Sequence, residues 1–225
     1  MILYAIPTPL GGEPADALPA STLHLVRSLK DFVVENAKSA RAFLGGIGMP
    51  VRELSIQALD QDAAALLKPL REGRALGLLS EAGCPAIADP GAALVEAAHA
   101  EGFRVVPLVG PSSIVLALMA SGLEGQRFAF CGYLPRDAVE RKRKIKELED
   151  RSRRERETEI FIETPYRSDA LLAALLETCS PATRLCVAAD LTLPSESIIS
   201  RPIAGWRGTP IGKRPAVFLL LADAQ

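Results

Sequence analysis

Small residues and turn formers are concentrated at residues 80–91, which read Ser-Glu-Ala-Gly-Cys-Pro-Ala-Ile-Ala-Asp-Pro-Gly. The stretch follows an apolar run at residues 75–79 that is typical of a buried strand. Open α/β sheets bind ligands beyond the carboxyl ends of their strands, and small side chains leave the backbone accessible to a ligand. From these residues alone, a ligand-binding turn and a tight strand-to-helix connection without a ligand are equally good interpretations.

Two further turns rich in proline and glycine, residues 7–12 and 110–113, also follow runs that are typical of strands. Ser112 or Ser113 can cap the apolar helix that comes next, a contribution of about 1 kcal/mol. The same helix N-terminus could instead face a ligand carboxylate. No GxGxxG and no GxxxxGK[ST] pattern occurs in the chain, which disfavours a dinucleotide fold and a phosphate loop.

Alternating short strands and longer helices must position these turns. Strands are predicted at residues 2–7, 32–34, 51–56, 75–79 and 104–109. Helices are predicted at residues 21–29, 37–44, 61–71 and 92–101, with glycines at positions 45, 46, 73 and 102 as stop signals. This alternation predicts parallel strands joined by right-handed crossovers.

The second half of the chain has fewer helices per strand. Residues 114–121 are apolar on every side of a helix, which predicts a helix that is buried all round. Further helices are expected at residues 137–156 and 168–178, and strands at residues 127–134, 159–163, 184–191, 196–200 and 217–222. We therefore predict a mixed sheet here and two α/β domains, residues 1–111 and 112–225.

The composition excludes several classes of protein. Of the 225 residues, 48% are apolar and 24% are charged, which is typical of globular domains. The net charge of −1 means that any contact with nucleic acid must depend on a local patch. No unbroken apolar run exceeds seven residues, whereas a membrane-spanning helix needs about 20, so we expect no membrane contact. Residues 1–6 lack a basic start and Pro7 interrupts them, so we expect no secretory signal.

The thiol and imidazole groups predict neither a disulfide framework nor a metal site. The four cysteines, Cys84, Cys131, Cys179 and Cys186, have no CxxC spacing, and the chain contains only two histidines. A chain of this length can build its core without disulfides. We therefore expect a protein of a reducing compartment, the cytoplasm.

The three turns and several later segments occur together in a specific order. The relevant stretches are residues 6–11, 79–91, 106–113, 122–123, 127–128, 132–135 (Gly-Tyr-Leu-Pro) and 163–167 (Glu-Thr-Pro-Tyr-Arg). In order and spacing they resemble the tetrapyrrole methylase superfamily of S-adenosylmethionine-dependent methyltransferases over nearly the whole chain. Within it, the chain looks most like the branch that methylates a ribose 2′-hydroxyl of small-subunit ribosomal RNA.

The resemblance implies a two-domain α/β protein whose S-adenosylmethionine lies in a cleft between the domains. Members of the superfamily hold this cofactor mostly through backbone atoms. The matching positions here are Pro9, Leu10, Glu81, Ala82, Gly83, Pro111, Ser112, Ser113, Pro215 and Ala216. Most members are homodimers, and the apolar edge of the helix at residues 37–44, which includes Phe43, is where we expect such an interface.

The chain departs from the ribose methylase branch at positions expected to face the substrate. Residues 35–38 read Glu-Asn-Ala-Lys where the branch usually carries Glu-Asp-Thr-Arg, and Glu81 replaces an aspartate. Three functions therefore stay open: an RNA ribose methyltransferase, a small-molecule methyltransferase of the tetrapyrrole type, and a relative that binds S-adenosylmethionine without turnover. Residues 132–135 favour the first, and the near-neutral charge favours the second.

Transfer of a methyl group to a ribose hydroxyl needs a group that manages one proton, because such a hydroxyl is a weak acid. The catalytic candidates are Glu35, Lys38, Glu163 and Arg167. Glu163 ends a predicted strand, so we expect it to face the ligand. The alternative for Glu163 is an ion pair with Arg167 that only shapes the turn, and for Glu35 and Lys38 it is a solvated surface. Tyr166 is expected to pack.

One stretch of the chain is dense in charge. Residues 136–159 hold ten basic and eight acidic side chains. Five of the cations are consecutive or nearly so: Arg141, Lys142, Arg143, Lys144 and Lys146. Such a run is usually a solvated helix face. The resemblance instead favours a patch that contacts the phosphates of ribosomal RNA in the small subunit.

Overall fold

The computed structural model describes residues 1–60, 62–206 and 210–223. The chain divides into two compact units, Met1–Ser112 and Ser113–Gln225. The sequence analysis placed the division between residues 111 and 112. Each unit contains its own five-stranded sheet, in agreement with the prediction of two α/β domains.

A parallel sheet forms the centre of the first unit. Its strands are β1 (Ile2–Ile6), β2 (Asp31–Val34), β3 (Ser55–Ala58), β4 (Leu76–Leu79) and β5 (Arg104–Pro107). They lie in the order β3-β2-β4-β1-β5, and all four neighbouring pairs are parallel. The carboxyl ends of all five strands therefore lie at one edge of the sheet.

Helices cover both faces of this sheet. They are α1 (Pro14–Ala17), α2 (Ala20–Arg27), α3 (Ala37–Gly46), α4 (Ala63–Leu66), α5 (Lys68–Arg71) and α6 (Ala92–Ala100). Phe32 and Val34 belong to one buried cluster with Leu44 of α3. The alternate residue Val33 belongs to the other, with Leu94 of α6. This alternation explains why every residue of β2 and β4 is buried.

Several predicted boundaries in the first unit were wrong. The helix at residues 37–44 continues through its two glycines to Gly46, because the chain turns only at Gly48, where φ is +84°. Val51–Glu53 form a 3-10 turn, so β3 begins at Ser55. The helix predicted at residues 61–71 is two helices, since Pro69 lacks an N–H and sits in the first turn of a new one. Its predicted start, Gln61, lies outside the described residues.

The sheet of the second unit is mixed, as predicted. Its strands are β6 (Phe128–Tyr133), β7 (Thr158–Glu163), β8 (Arg184–Ala189), β9 (Ser197–Pro202) and β10 (Ala216–Leu221). They lie in the order β6-β7-β10-β8-β9. Strands β6 and β7 are parallel, and the other three pairs are antiparallel. Strand β10 is central and fully buried.

Among the described residues of this unit, the helices that pack on the sheet are α7 (Ser113–Ser121), α8 (Ala138–Glu155) and α9 (Ser168–Thr178). The prediction that residues 114–121 are buried all round was wrong. Ala117 is buried, but Val115 is 49% exposed and Met119 is 76% exposed. Helix α7 contacts β8, β9 and β10 on one side only, and a uniformly apolar sequence carries no periodicity that would have indicated this side.

The four thiols are free, and burial differs among them. Cys84 and Cys131 are half-buried, whereas Cys179 and Cys186 are buried. Burial raises the pKa of Cys84 above its usual value, that of Cys131 and Cys186 to about 11, and that of Cys179 to about 12. Within the described ranges, no helix has both the length and the apolar character that crossing a membrane requires.

Candidate functional site

The three turns singled out by sequence follow β1, β4 and β5, which are neighbours in the sheet, so they meet at its carboxyl edge. Thr8 and Gly83 join the first two turns: Thr8 N–H donates to Gly83 O at 2.9 Å, and Gly83 N–H donates to Thr8 O at 3.0 Å. The thiol of Cys84 lies 3.4 Å from Pro111 O in the third turn. The turns therefore form one connected group of backbone segments.

Two glycines permit this close approach. Gly83 has φ +80°, and a Cβ at this position would lie 3.2 Å from Leu10 Cδ2. A Cβ at Gly110 would lie 2.6 Å from Pro7 Cγ and 2.9 Å from Leu18 Cδ2. Any side chain at Gly110 would therefore push the first and third turns apart.

The structure brings together most of the residues predicted to bind the cofactor. Those of the first unit lie on the three connected turns: Pro9, Leu10, Glu81, Ala82, Gly83, Pro111 and Ser112. The remaining three belong to the second unit: Ser113 begins α7, and Pro215 and Ala216 lie at the start of β10. The N–H of Asp190 donates to Pro215 O at 3.2 Å, which fixes the entry into that strand.

An open groove of about 370 Å³ lies beside the first turn. Small-molecule sites typically have volumes of roughly 300–1,000 Å³. Pro9 and Glu81 line the groove, together with Ala42, Phe43 and Gly46 of α3. From sequence, Lys38 was the only residue of α3 predicted to belong to the site, although the four-residue spacing of Ala42 and Gly46 predicts a strip of small residues on one helix face.

Phe43 does not occupy a free apolar edge. Its ring is half-buried against the core of the first unit and lines the groove. The exposed residues of this helix segment are Arg41, Ala42, Gly45 and Gly46. Phe43 therefore has a packing role that the sequence did not indicate, and the interface predicted at this helix edge stays a prediction.

Glu35 is tied to the second turn, whereas Lys38 is not. Glu35 Oε2 accepts the N–H of Glu81 at 3.1 Å, and Ser39 Oγ donates to Glu81 Oε1 at 3.3 Å. Asn36 caps α3 by accepting the N–H of Lys38 at 2.9 Å. The Lys38 side chain is exposed and pairs with no carboxylate among the described residues. Of this pair, only Glu35 has a defined position at the turns.

Asp89 is a residue of this edge that the sequence analysis missed, because its Asp-Pro-Gly setting indicated only a turn. Partial burial raises the pKa of Asp89 to about 6, and the negative charges of Glu35 and Glu81 add to the increase. A hydrogen bond with Ser80 opposes it. Asp89 therefore changes its charge near neutral pH, unlike an ordinary aspartate.

Glu163 and Arg167 form the ion pair that the sequence analysis gave as an alternative. Glu163 Oε1 accepts the N–H of Thr164 at 2.6 Å and Arg167 Nη2 at 2.5 Å. The carboxylate lies at the carboxyl end of β7 and is fully buried. Ala216 is its register partner on β10, so two predicted site residues are neighbours here. Tyr166, which was expected to pack, is 81% exposed.

Most cations of the charged run are already paired. Lys142 contacts Glu177 at 2.5 Å, Lys144 contacts Glu147 at 2.7 Å, and Lys146 contacts Glu149 at 2.8 Å. Arg141 and Arg143 pair with no carboxylate within the described part of the chain. The patch that could contact phosphates is therefore smaller than the sequence suggested.

Glu149 anchors α8 from beneath this run. It is fully buried and also accepts the N–H of Ser180 and the hydroxyl of Thr183, both at 2.6 Å. Burial alone would raise the pKa of this carboxyl, but the hydrogen bonds from Lys146, Thr183 and Ser180 outweigh burial and lower it. Lys146 is thus part of the structure of the unit.

Comparison with known proteins gives consistent results. A family model described as Tetrapyrrole (Corrin/Porphyrin) Methylases matches residues 15–205. Ribosomal RNA small subunit methyltransferase I of Vibrio cholerae is 33% identical over 205 residues, which cover 90% of this chain and 69% of that protein. The protein of the same name from Escherichia coli O157:H7 is 32% identical over 99% of this chain and 78% of its own length.

The fold also matches a solved structure. The crystal structure of the methyltransferase CobJ aligns with a TM-score of 0.65 and covers 98% of this chain and 93% of its own. The sequence identity is 20%, so this likeness bears on the fold alone.

Asp89→Asn should stabilise the protein at neutral pH. The pKa of Asp89 is about 6 in the folded state, above the value of about 3.9 for an unfolded aspartate. The free energy of unfolding therefore falls as the pH rises from about 4 to about 6 and the carboxyl ionises. The gain above pH 6 is about 1–2 kcal/mol after allowance for solvent screening. Denaturant unfolding at pH 4 and pH 7.5 measures it.

The control is Asp16→Asn, an exposed acid in α1, which should change stability by less than about 0.5 kcal/mol at both pH values. An equal gain from Asp89→Asn at pH 4 and pH 7.5 would contradict the assignment of the raised pKa to this carboxyl.

Proposed function

The chain belongs to the tetrapyrrole methylase family, as its turns predicted, and on that premise we propose that it methylates a ribose 2′-hydroxyl of small-subunit ribosomal RNA with S-adenosylmethionine as the donor. The observation that carries the proposal is the match to relatives named for methylation of this RNA, which extends over 90–99% of the chain. Cytoplasmic location and a homodimeric state are part of the same proposal.

The first unit supplies most of the proposed cofactor contacts. Backbone atoms at Pro9, Leu10, Glu81, Ala82, Gly83, Pro111 and Ser112 would hold S-adenosylmethionine. Ser113, Pro215 and Ala216, which belong to the second unit, stay predicted cofactor contacts. The absence of a side chain at Gly83 and the groove beside Pro9 and Glu81 support this fit. When bound, the cofactor supplies an electrophilic methyl group on a sulfonium.

The four catalytic candidates differ in what the structure supports. Glu35 is proposed as a positioning residue, because its carboxylate fixes the Glu81 backbone. Lys38 is exposed and suits a phosphate contact. Glu163 is the candidate to take the proton that the ribose hydroxyl loses, since one of its oxygens has no partner in the described part of the chain. Arg167 would balance the negative charge on that hydroxyl oxygen.

A small-molecule methyltransferase of the tetrapyrrole type is the second candidate. The observations that favour it are the net charge of −1 and the pairing of Lys142, Lys144 and Lys146 with carboxylates. Methylation assays on isolated small ribosomal subunits and on tetrapyrroles separate the two functions. Binding of S-adenosylmethionine without product on either acceptor would favour the third possibility, a relative without turnover.

Gly83→Ala should weaken S-adenosylmethionine binding by about tenfold, the equivalent of 1.4 kcal/mol. The new Cβ would press on Leu10 and strain a left-handed residue. Gly73→Ala is the matched control, because Gly73 has φ +85° but nothing within 4 Å of its Cβ position. Calorimetry should show normal affinity for the control. Equal losses in both variants, or no binding by the folded wild type, would contradict the proposed cofactor site.

Replacing Arg141 and Arg143 with serine should reduce the salt dependence of RNA binding. The slope is that of the logarithm of the binding constant against the logarithm of the salt concentration. The loss of two phosphate contacts should reduce its magnitude by up to about 1.8 on a duplex and about 1.4 on a single strand. Lys144→Ser removes a cation that Glu147 already neutralises, so this control should leave the slope nearly unchanged. Fluorescence anisotropy across a salt series measures the slopes, and an unchanged slope in the double variant would make these arginines a solvated helix face.

Light scattering at micromolar concentration should give about twice the chain mass of 24.0 kDa. The exposed Val115 and Met119 of α7 form an apolar surface that a second copy could cover. Met119→Asp should lower the measured mass. Phe43→Asp should instead destabilise the first unit, because Phe43 packs on its core. A monomer at all concentrations that still binds S-adenosylmethionine would refute the dimer.

A further inference from the structure

The carboxyl end of β7 holds two buried polar atoms that lack partners. Glu163 Oε2 and Arg167 Nη1 make no hydrogen bond with any residue that the structure describes. The Glu163 side chain is fully buried, and that of Arg167 is 27% exposed. Because burying an unsatisfied polar atom is costly, native structures rarely leave two of them in one ion pair. A further group that satisfies both atoms is expected.

Arg141 Nε and Arg184 Nε of the same unit are also buried without a hydrogen-bond partner among the described residues, but the two other buried carboxylates of the unit have partners on both oxygens. Glu149 uses Oε1 for Ser180 and Thr183 and Oε2 for Lys146. Glu159 binds Arg151 through both oxygens, and its Oε2 also accepts from the Cys131 thiol. An ion pair that only shaped a turn would be satisfied in the same way. Glu163 keeps one oxygen free.

The chemistry of the two free atoms selects the group that fits. A carboxylate oxygen only accepts hydrogen bonds, and a guanidinium nitrogen only donates them. A hydroxyl can donate to Glu163 Oε2 and accept from Arg167 Nη1 at the same time. An anion would be repelled by Glu163 and a cation by Arg167. The pair therefore suits a neutral hydroxyl.

The residue before Arg167 carries an exposed aromatic ring, and a cation lies beside that ring. Tyr166 is 81% exposed, and Lys213 Nζ lies 5.6 Å from the centre of its ring. The turn is held by the N–H of Arg167, which donates to Thr164 O at 2.9 Å. RNA bases stack on exposed aromatic side chains, and lysines contact phosphates.

We propose that Glu163, Tyr166, Arg167 and Lys213 form a nucleoside subsite for single-stranded RNA. A ribose hydroxyl bridges Glu163 Oε2 and Arg167 Nη1, the base stacks on Tyr166, and Lys213 contacts the adjoining phosphate. The subsite rests on the proposed function and deepens it, because it assigns separate residues to the sugar, the base and the phosphate. All four residues lie in the second unit.

The test compares a single-stranded oligoribonucleotide with the oligodeoxyribonucleotide of the same sequence, without S-adenosylmethionine. Tyr166→Ala should weaken binding of both by about tenfold, and Tyr166→Phe should restore it. Glu163→Gln should remove most of the preference for RNA, about tenfold, while DNA binding stays near the wild-type value. Arg167→Lys should act in the same direction, which keeps the sugar contact testable if Glu163→Gln does not fold.

The control is Phe128→Ala. Phe128 is 46% exposed and begins β6, which runs parallel to β7, so it lies at the opposite edge of the sheet. It should bind both oligonucleotides normally. A Tyr166→Ala variant with wild-type affinity, or an RNA preference that survives in both Glu163→Gln and Arg167→Lys, would overturn the subsite.

Methylation of small ribosomal subunits is measured separately, so that the two proposals can fail independently. If wild type prefers RNA through these residues but methylates no subunit, the nucleoside subsite stands and the proposed reaction fails. If wild type methylates subunits and Tyr166→Ala has an unchanged kcat/KM, the proposed reaction stands and the subsite fails.

Discussion

Two backbone hydrogen bonds between Thr8 and Gly83 hold the ends of β1 and β4 together beyond the sheet. They require a left-handed residue at Gly83 and a first turn with little bulk. With these bonds formed, the N–H of Glu81 lies within hydrogen-bonding distance of the Glu35 carboxylate. Glu35 immediately precedes Asn36, the residue that caps α3. One short bridge thus sets the positions of two turns and a helix.

The second unit depends on buried charge instead of close backbone contact. Arg151 of α8 binds Glu159 of β7 and thereby attaches that helix to the mixed sheet. Arg167, the residue before α9, binds Glu163 of β7, and Lys146 binds Glu149 within α8. Breaking such a pair is costly, because it leaves a charge buried without its partner. The charged helix α8, which from sequence resembles a solvated surface helix, therefore also stabilises the unit through its ion pairs. Only some of its cations remain available to a ligand.

The sequence predicted structural features that follow from a local residue pattern. It missed features that depend on residues far apart in the chain. Strand and helix periodicity predicted the parallel sheet, and the small residues after β4 predicted the edge where the turns meet. The exposure of Met119 depends on which side of α7 meets the sheet, which a uniformly apolar helix does not encode. The pairing of Lys142 depends on Glu177, 35 residues away. The raised pKa of Asp89 depends on its burial and on the charge of Glu35, which comes from a distant part of the sequence.

The free thiols have a consequence for the chemical reactivity of the folded chain. A thiol reacts as its thiolate, and burial keeps the thiolate fraction of Cys131, Cys179 and Cys186 very small at neutral pH. Alkylating reagents therefore modify the buried Cys179 and Cys186 only when the surrounding structure opens, whereas Cys84 and Cys131 are half-buried. Because Cys84 lies in the first unit and the other three lie in the second, the native cysteines act as built-in reporters that distinguish the opening of one unit from that of the other.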